Sequence, residues 1–375
     1  MQILRKILDH FLLALNILSV VLLLCSAYSH RISPEQSTLS VFFGLLFPVF
    51  LLLNIGFSVF WIFNKNKWYA LLPVSAMILC GSSIHNFCPV NIWNTQTEKE
   101  ETTVSILSYN VHYFDNYKAH SEKSPNEIID YIKKQDADIV CLQEFGVFKK
   151  EEGFITEQQI RKALPQYKYY HCSPKSEWPK AKIGMACLSK YPITKVREVE
   201  LSRKTYNGSS LYEINIKGEK IALLNNHLES NRFTETEKKM YRNTIKNLDL
   251  DHIDSVKQQL MPKLGKAAKT RTQQADHLAK IIAEYGDKII VCGDFNDTPM
   301  SYIYHTIRGN MKDAYVETGF GPGITYHENG FWFRIDHLLY GNAFRAIDAR
   351  IGNEKYSDHY PLHVTLSIKK TDNPQ

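Results

Sequence analysis

The sequence predicts a mixed α/β (α+β) body, two β-sheets packed face to face with helices outside, preceded by three membrane helices. Three observations carry this. The first ninety or so residues contain three apolar runs and few charges. Beyond them, short strand-like apolar runs recur with three helical patterns between them. Many strands with occasional helices argue for packed sheets with outer helices, and about 270 residues suffice for one large core.

The apolar runs are Phe11–Tyr28, Leu39–Phe63 and Trp68–Ile84, the third interrupted by Pro73. Each approaches or exceeds the ~20 residues a helix needs to cross the hydrocarbon core. A cleaved signal peptide would explain the first alone, but two more runs follow it. Arg5 and Lys6 precede the first run, and Lys65 and Lys67 sit between the second and third. The loop His30–Thr38 sets Arg31 against Glu35. Basic flanks mark the cytoplasmic side. An integral membrane protein with a cytoplasmic amino terminus is therefore expected, its later residues extracytoplasmic, facing the periplasm in a bacterial inner membrane. The expected division is an anchor over 1–90, a polar linker over 91–103 and a catalytic domain over 104–368.

In the body, strands are predicted at Val104–Tyr109, Asp138–Gln143, Tyr167–His171, Ile183–Ser189 and Leu211–Ile216. Ile221–Asn225, Lys288–Cys292, Arg334–Tyr340 and Leu362–Leu366 continue the series. Helices are predicted over Asn126–Lys134 after Ser124-Pro125, over Thr156–Leu164 with Thr156 as N-cap, and over Arg271–Tyr285 before Gly286. Asn207-Gly208-Ser209 reads as a hairpin turn, although it is formally a glycosylation acceptor.

Six polar clusters sit at or just past the apolar part of such strands. They are Ser-Tyr-Asn-Val at 108–111, Leu-Gln-Glu at 142–144, Asn-Asn-His-Leu at 225–228, Gly-Asp-Phe-Asn at 293–296, Arg-Ile-Asp-His at 334–337 and Ser-Asp-His at 357–359. They supply Asn110, Glu144, His227, Asp294, Asn296, Asp336, Asp358 and His359. Hard oxygen donors with two imidazoles suit a magnesium-type ion and phosphate-ester hydrolysis. Strand ends are rigid mounts from which such groups can converge. Taken singly, each has an ordinary alternative: turn asparagines, a structural ion pair for Glu144, a core histidine for His227.

In this order the clusters resemble the endonuclease/exonuclease/phosphatase superfamily over roughly residues 103–368, most specifically at Gly293–Asn296 and Ser357–His359. The resemblance implies a four-layer αββα sandwich. It also implies that Asp294 orients or deprotonates the attacking water, that Asn296 holds a phosphate oxygen or the metal, and that Glu144 is the principal cation ligand. Where many family nucleases carry Asn-x-Asp, this chain reads Asn110-Val111-His112.

Asn110 is assigned a supporting metal or phosphate contact. His227 is expected to donate to the phosphoryl oxygen as charge develops there. Neighbouring residues on a strand point opposite ways, so Asp336 is expected to orient His359, leaving Asp358 for the metal or water. His112, Asp115, Arg334 and His337 lie near the motifs and read equally well as surface groups. Trp178, Phe331, Trp332 and Phe333 read as core or loop anchors, with substrate stacking an alternative for Trp332.

The formal net charge is +6, and residues 238–274 alone, with nine basic residues and three aspartates, account for a surplus of that size. Pro262 and Gly265 predict a break there into two helical pieces, solvated or facing phosphates. Seven cysteines offer no zinc spacing and no pairing framework, except that Cys172 and Cys187 could pair. The expectation is a membrane-anchored, Mg2+- or Mn2+-dependent phosphoester hydrolase. A phosphodiesterase acting on nucleic acid or a phospholipid headgroup comes first, and a phosphomonoesterase on a small molecule or inositol phosphate second. No obligate protein partner is implied. A catalytically inactive phosphate-binding membrane receptor is the reading from another class.

Overall fold

The computed structural model describes residues 2–92, 102–117, 126–148, 155–177, 181–201, 207–247, 253–328 and 330–369. Most of the linker, Trp178 and the Ser124-Pro125 start signal lie outside the described residues.

Four helices come first: α1 (Gln2–Ala27), α2 (Leu39–Ile62), α3 (Leu71–Leu79) and α4 (Gly81–Phe87). Two of them, not three, are continuous helices long and apolar enough to cross a membrane. The third run is broken, its halves bent by 65°, at the Cys80–Ser83 stretch where Gly and Ser follow one another. It nevertheless traverses the length of the α1/α2 hairpin. Asn66 donates to Asp9 at 3.1 Å near one end, while Tyr28 donates to the Leu79 carbonyl at 2.8 Å near the other. Asn54 joins α2 to α1 by donating to the Ser19 carbonyl and hydroxyl at 3.0 and 2.9 Å, a polar tie of the kind that holds apolar helices together.

The body consists of two six-stranded sheets. The first runs in the order β11-β12-β1-β2-β4-β3, with β1 (Thr102–Asn110), β2 (Ile139–Phe148), β3 (Tyr169–Glu177), β4 (Ala181–Ser189), β11 (Phe344–Ile351) and β12 (Leu362–Ile368). The second runs β5-β6-β7-β8-β10-β9, with β5 (Ile193–Val199), β6 (Gly208–Ile216), β7 (Glu219–His227), β8 (Ile289–Asp294), β9 (Lys312–Asp313) and β10 (Asp336–Tyr340). Between the sheets lies a core that includes Ile106, Cys141, Leu223, Ile290 and Leu338. Helices α5 (His112–Tyr117), α6 (Glu127–Gln135) and α7 (Glu157–Ala163) cover the outer face of the first sheet. The capping box of Thr156 and Gln159 starts α7. Helices α9 (Ile253–Tyr285) and α10 (Tyr302–Arg308) cover the second sheet. The four layers of the expected sandwich are present. Strands β5, β9 and β11 were not predicted, and α8 (Glu235–Asn247) and α11 (Ala314–Thr318) are the remaining α-helices among the described residues.

Several expectations are corrected. Helix α9 runs straight through Pro262. The bond lost there is outweighed because Leu260, Ala267, Ala268, Ala275, Leu278 and Ile281 all bury their side chains along it. Cys172 and Cys187 are free. Cys187 pairs across with His171 and Cys172 with Ala186, so the one-residue offset turns the two thiols to opposite faces. Asn207-Gly208-Ser209 makes no hairpin turn: Gly208 and Ser209 open β6, and the buried Asn207 amide donates to the Leu228 carbonyl at 2.6 Å. Arg334 and His337 are buried, not surface groups.

The body is seated on the first-loop end of the helices. Met300 is buried in one cluster with Leu23, Phe47 and Leu51. A Cβ on Gly44 would stand 3.3 Å from the Met300 carbonyl oxygen, so the glycine permits this approach. His30 stacks on His305 at 3.9 Å, and Gln273 donates to Glu35 at 2.8 Å. Arg334 donates to the Asn86 carbonyl, and Arg308 to the Asn86 side chain at 3.2 Å.

Candidate active site

Strand pairing gathers the polar clusters at one end of the sandwich. Parallel pairing of β1 with β2 sets Asn110 opposite Gln143, so Glu144 follows at the same edge. Parallel pairing of β7 with β8 sets His227 opposite Asp294, and antiparallel pairing with β10 sets Asp336 opposite Asp294. His359 enters from the last loop by a bridge to Tyr326. Beneath them Gln143 donates to Asn225 at 2.7 Å, joining the two sheets, and Asn226 donates to the Cys292 carbonyl at 3.2 Å.

Asn110, Glu144, His227, Asp294, Asn296, Asp336 and His359 converge. Asn110 Nδ2 lies 3.1 Å from Asp294 Oδ2 and 3.4 Å from Glu144 Oε1. Its oxygen accepts from the His112 N–H at 3.1 Å. Asn110 thus turns its amide nitrogen toward the carboxylates, in the manner of a tether. The amide of Asn296 donates to Asp294 at 2.7 Å from the backbone and at 3.2 Å from the side chain. Glu144 and Asn296 both hold left-handed backbone, at φ 47° and 51°. For non-glycine residues this costs of order 1–3 kcal/mol each and collects at functional sites. Glu144 does so at the β2/β4 register shift, which re-aims its side chain toward the cleft.

The His359 Nδ1 lies 2.7 Å from Asp336 Oδ2, and its Nε2 stands 3.7 Å from Asp294 Oδ2. His227 Nε2 lies 3.6 Å from Glu144 and 3.8 Å from Asp294 and has no hydrogen-bond partner among the described residues. Asp336 Oδ1 is also unpaired among them. Asp358 stands apart at the rim, 3.3 Å from the Ser357 hydroxyl and 3.9 Å from His112 Nδ1. Beside it Tyr326 places its ring 5.0 Å from that of His359, Phe331 stacks on Tyr241 at 4.0 Å, and Trp332 is exposed.

Burial raises the Asp294 carboxyl to about 6, opposed by the charges of His359 and His227 and reinforced by that of Asp336. Burial alone would lower His359, but the Asp336 and Asp294 carboxylates and the Asp336 hydrogen bond outweigh it and hold the imidazole well above its usual range. Burial would raise Asp358, yet His359, His112 and Lys238 pull it down.

Glu144, Asp294 and Asp336 bring three carboxylates close to one centre, and like charges gathered in a buried site call for positive charge. Asp294, Asp336 and His359 place their ligand atoms within 4.8 Å of one another and could hold a metal ion. The carboxylate oxygens of Glu144, Asp294 and Asp336 make a hard donor set that fits a Mg2+- or Mn2+-type ion.

Two residues of the basic stretch 238–274 are paired instead of forming a free cationic surface. Arg271, assigned from sequence to a basic surface, is 1 % exposed and bonds to Asp297 at 3.1 Å. Lys263, Lys266 and Lys269 precede it closely in sequence, so nothing local distinguished it. Lys263 is likewise paired, with Glu237 at 2.7 Å.

The endonuclease/exonuclease/phosphatase family model matches residues 107–359, and a model for a domain of unknown function matches residues 9–87. No curated protein matches. Among solved structures, an endonuclease/exonuclease/phosphatase from Beutenbergia cavernae is similar at 14 % identity and TM-score 0.50, over 71 % of this chain and 72 % of that one. A family protein from Leptotrichia buccalis matches at 19 % and TM-score 0.46, over 70 % of this chain and 98 % of that one. One from Bacteroides thetaiotaomicron matches at 16 % and TM-score 0.46, over 72 % and 100 %. With the family model covering every strand end that bears the site, the chain belongs to the endonuclease/exonuclease/phosphatase family and is a hydrolase of phosphoric ester bonds.

Proposed function

We propose that the chain is a membrane-anchored phosphodiesterase that cleaves phospholipid headgroups, with an anchor over 1–90 and a catalytic domain over 104–368. One observation carries the lipid reading. Met300, four residues past Asn296, is buried among the N-terminal helices, and Arg334, two residues before Asp336, bonds to Asn86. An extended residue spans at most about 3.6 Å, so the reacting groups lie within about 15 Å of the helices. A bilayer-borne ester is thus within reach at little entropic cost, whereas a long nucleic acid would have to approach along the membrane. Nucleic acid remains the second reading, favoured by Lys238, which acts on Asp358 at the rim.

In the proposed reaction water attacks phosphorus in line, the P–O bond to the leaving group breaks, and the departing oxygen takes a proton from solvent to leave as the alcohol. Asp294, with its raised carboxyl, takes the water proton. His359, steered by Asp336, and the unpaired Nε2 of His227 donate to the phosphoryl oxygens as negative charge grows. Asn296 fixes Asp294 through two hydrogen bonds. Glu144 would hold a divalent cation, which supplies charge neutralisation when bound. Asp358 and Asn110 serve as rim and tether, respectively.

The basic flanks favour a cytoplasmic amino terminus and an extracytoplasmic catalytic domain. In support, Asn66 and Asp9 meet at one end of the helices, while Glu35 and Asn86 meet the body at the other. The deciding experiment assays full-length protein in lipid vesicles with Mg2+ on sphingomyelin, phosphoinositides, DNA and RNA. Headgroup release from one lipid is expected. Turnover of nucleic acid alone would hand the assignment to the second reading.

A further inference from the structure

Helix α9 does more than cover the second sheet. Its Arg271 is almost wholly buried, and its guanidinium is divided between two loops. Nε donates to the Asp297 carboxylate at 3.1 Å, in the loop that leaves β8 directly after Asn296. Nη1 donates to the Glu229 carbonyl at 2.8 Å and to the Asn231 side chain at 3.0 Å, in the loop that leaves β7 two residues after His227. One turn along, Gln274 accepts from the Glu229 N–H at 2.9 Å. The two loops are also stitched directly, because Asn296 Nδ2 donates to the Leu228 carbonyl at 3.0 Å.

Burying a guanidinium costs several kcal/mol before its partners repay it, and an apolar side chain of similar volume would fill the space at least as favourably. A planar fork does what an apolar filler cannot: it fixes two acceptors at a set separation and angle. Arg271 is also placed between two contacts of α9 with the N-terminal hairpin. A Cβ on Gly265 would stand 3.2 Å from Thr38 Cγ2, and Gln273 bonds to Glu35. The helix bearing the fork is therefore held on both sides of it.

We propose that Arg271 is a positioning residue for phosphoester hydrolysis, clamping the loop behind His227 to the loop behind Asn296. It touches neither substrate nor cation. Its role rests on the phosphoesterase reading of the site. With the clamp in place, the two side chains keep the spacing at which Nε2 of His227 and the carboxylate of Asp294 face one phosphorus. Without it, each loop can shift by an ångström or so, and a displacement of that size costs about a hundredfold in rate.

The test uses full-length protein in detergent, bis(4-nitrophenyl) phosphate with Mg2+ as probe, and amide hydrogen exchange. Arg271→Ala is expected to lower kcat by about a hundredfold with KM changed less than about twofold. Exchange should quicken in both 228–232 and 295–299, and added guanidinium at non-denaturing concentration should restore part of the rate. If Arg271→Ala does not fold, Arg271→Lys decides: it keeps a charge beside Asp297 and loses the fork, so kcat should fall and exchange should quicken in 228–232 only. A folded Arg271→Ala or Arg271→Lys with wild-type kcat and wild-type exchange in both segments overturns the clamp. A wild-type protein that never hydrolyses the probe counts against the proposed phosphodiesterase activity alone. In that case unchanged exchange in both variants overturns the clamp, and faster exchange in the assigned segments upholds it.

Discussion

Asp336 Oδ2 lies 2.7 Å from His359 Nδ1, which leaves Nε2 of the same ring 3.7 Å from Asp294. The two carboxylates face each other across β8 and β10, so the imidazole spans a pair of acids whose separation the sheet sets. Asp336→Asn should keep this shape while removing the charge that holds His359 protonated. A loss of about 10²–10³-fold in kcat is expected, with His359→Ala at least as damaging. Asp294→Asn should cost about 10²–10⁴-fold. Steady-state kinetics with melting curves check all three, and folded variants with wild-type turnover would remove these residues from the catalytic set.

Chelation provides a second test. The carboxylate donors offered by the site, Glu144 first among them, are oxygens and no thiol joins them, so EDTA should abolish hydrolysis and Mg2+ or Mn2+ should restore it. Undiminished turnover after exhaustive chelation would contradict the proposed cation.

The seating of the body on the hairpin predicts a substrate-dependent defect. Gly44→Leu drives a side chain toward the Met300 carbonyl, 3.3 Å from where its Cβ would stand, and overpacking of this kind typically costs about 1–3 kcal/mol. Hydrolysis of a vesicle-borne lipid should suffer more than hydrolysis of soluble bis(4-nitrophenyl) phosphate. Equal losses on both would mean that seating does not govern access to the bilayer.

Acid sensitivity has a source away from the site. Burial, with Arg350 adding to it, lowers His363 from its usual 6.5 to about 4, and the Tyr131 hydroxyl lies 2.5 Å from Nε2. Between pH 6.5 and about 4 the unfolded chain binds a proton there that the folded chain refuses, so stability falls as pH falls through that window. The difference amounts to about 3 kcal/mol. His363→Phe should flatten the melting temperature over this range relative to wild type. Parallel pH profiles for the two proteins would locate the sensitivity elsewhere.

Topology can be tested by fusion after residue 100. A reporter that works only after export should be active there and one that works only in the cytoplasm should be silent. The reverse pattern would show that the broken Trp68–Ile84 run does not complete a crossing.

The sequence by itself determined the layered body, most of its strands and the set of polar residues at their ends. Alternating or continuous apolar runs dictate which faces are buried, and a hydrophilic residue ending such a run is legible without its partners. Thr156 announced α7 because a capping box is a local pattern. What stayed hidden was everything settled by contacts distant in sequence. Pro262 does not break α9, because burial along the helix outweighs one lost hydrogen bond. Cys172 and Cys187 cannot meet, because register, set by pairing with another strand, turns them to opposite faces. Asn110 turns its amide nitrogen inward to Asp294 and Glu144, carboxylates that other strands bring beside it. Arg271 looked like one more cation in a basic stretch, and only folding brought it between Asp297 and Glu229, more than twenty-five residues away on either side. Periodicity reports burial, whereas orientation and partnership depend on which surfaces the chain brings together.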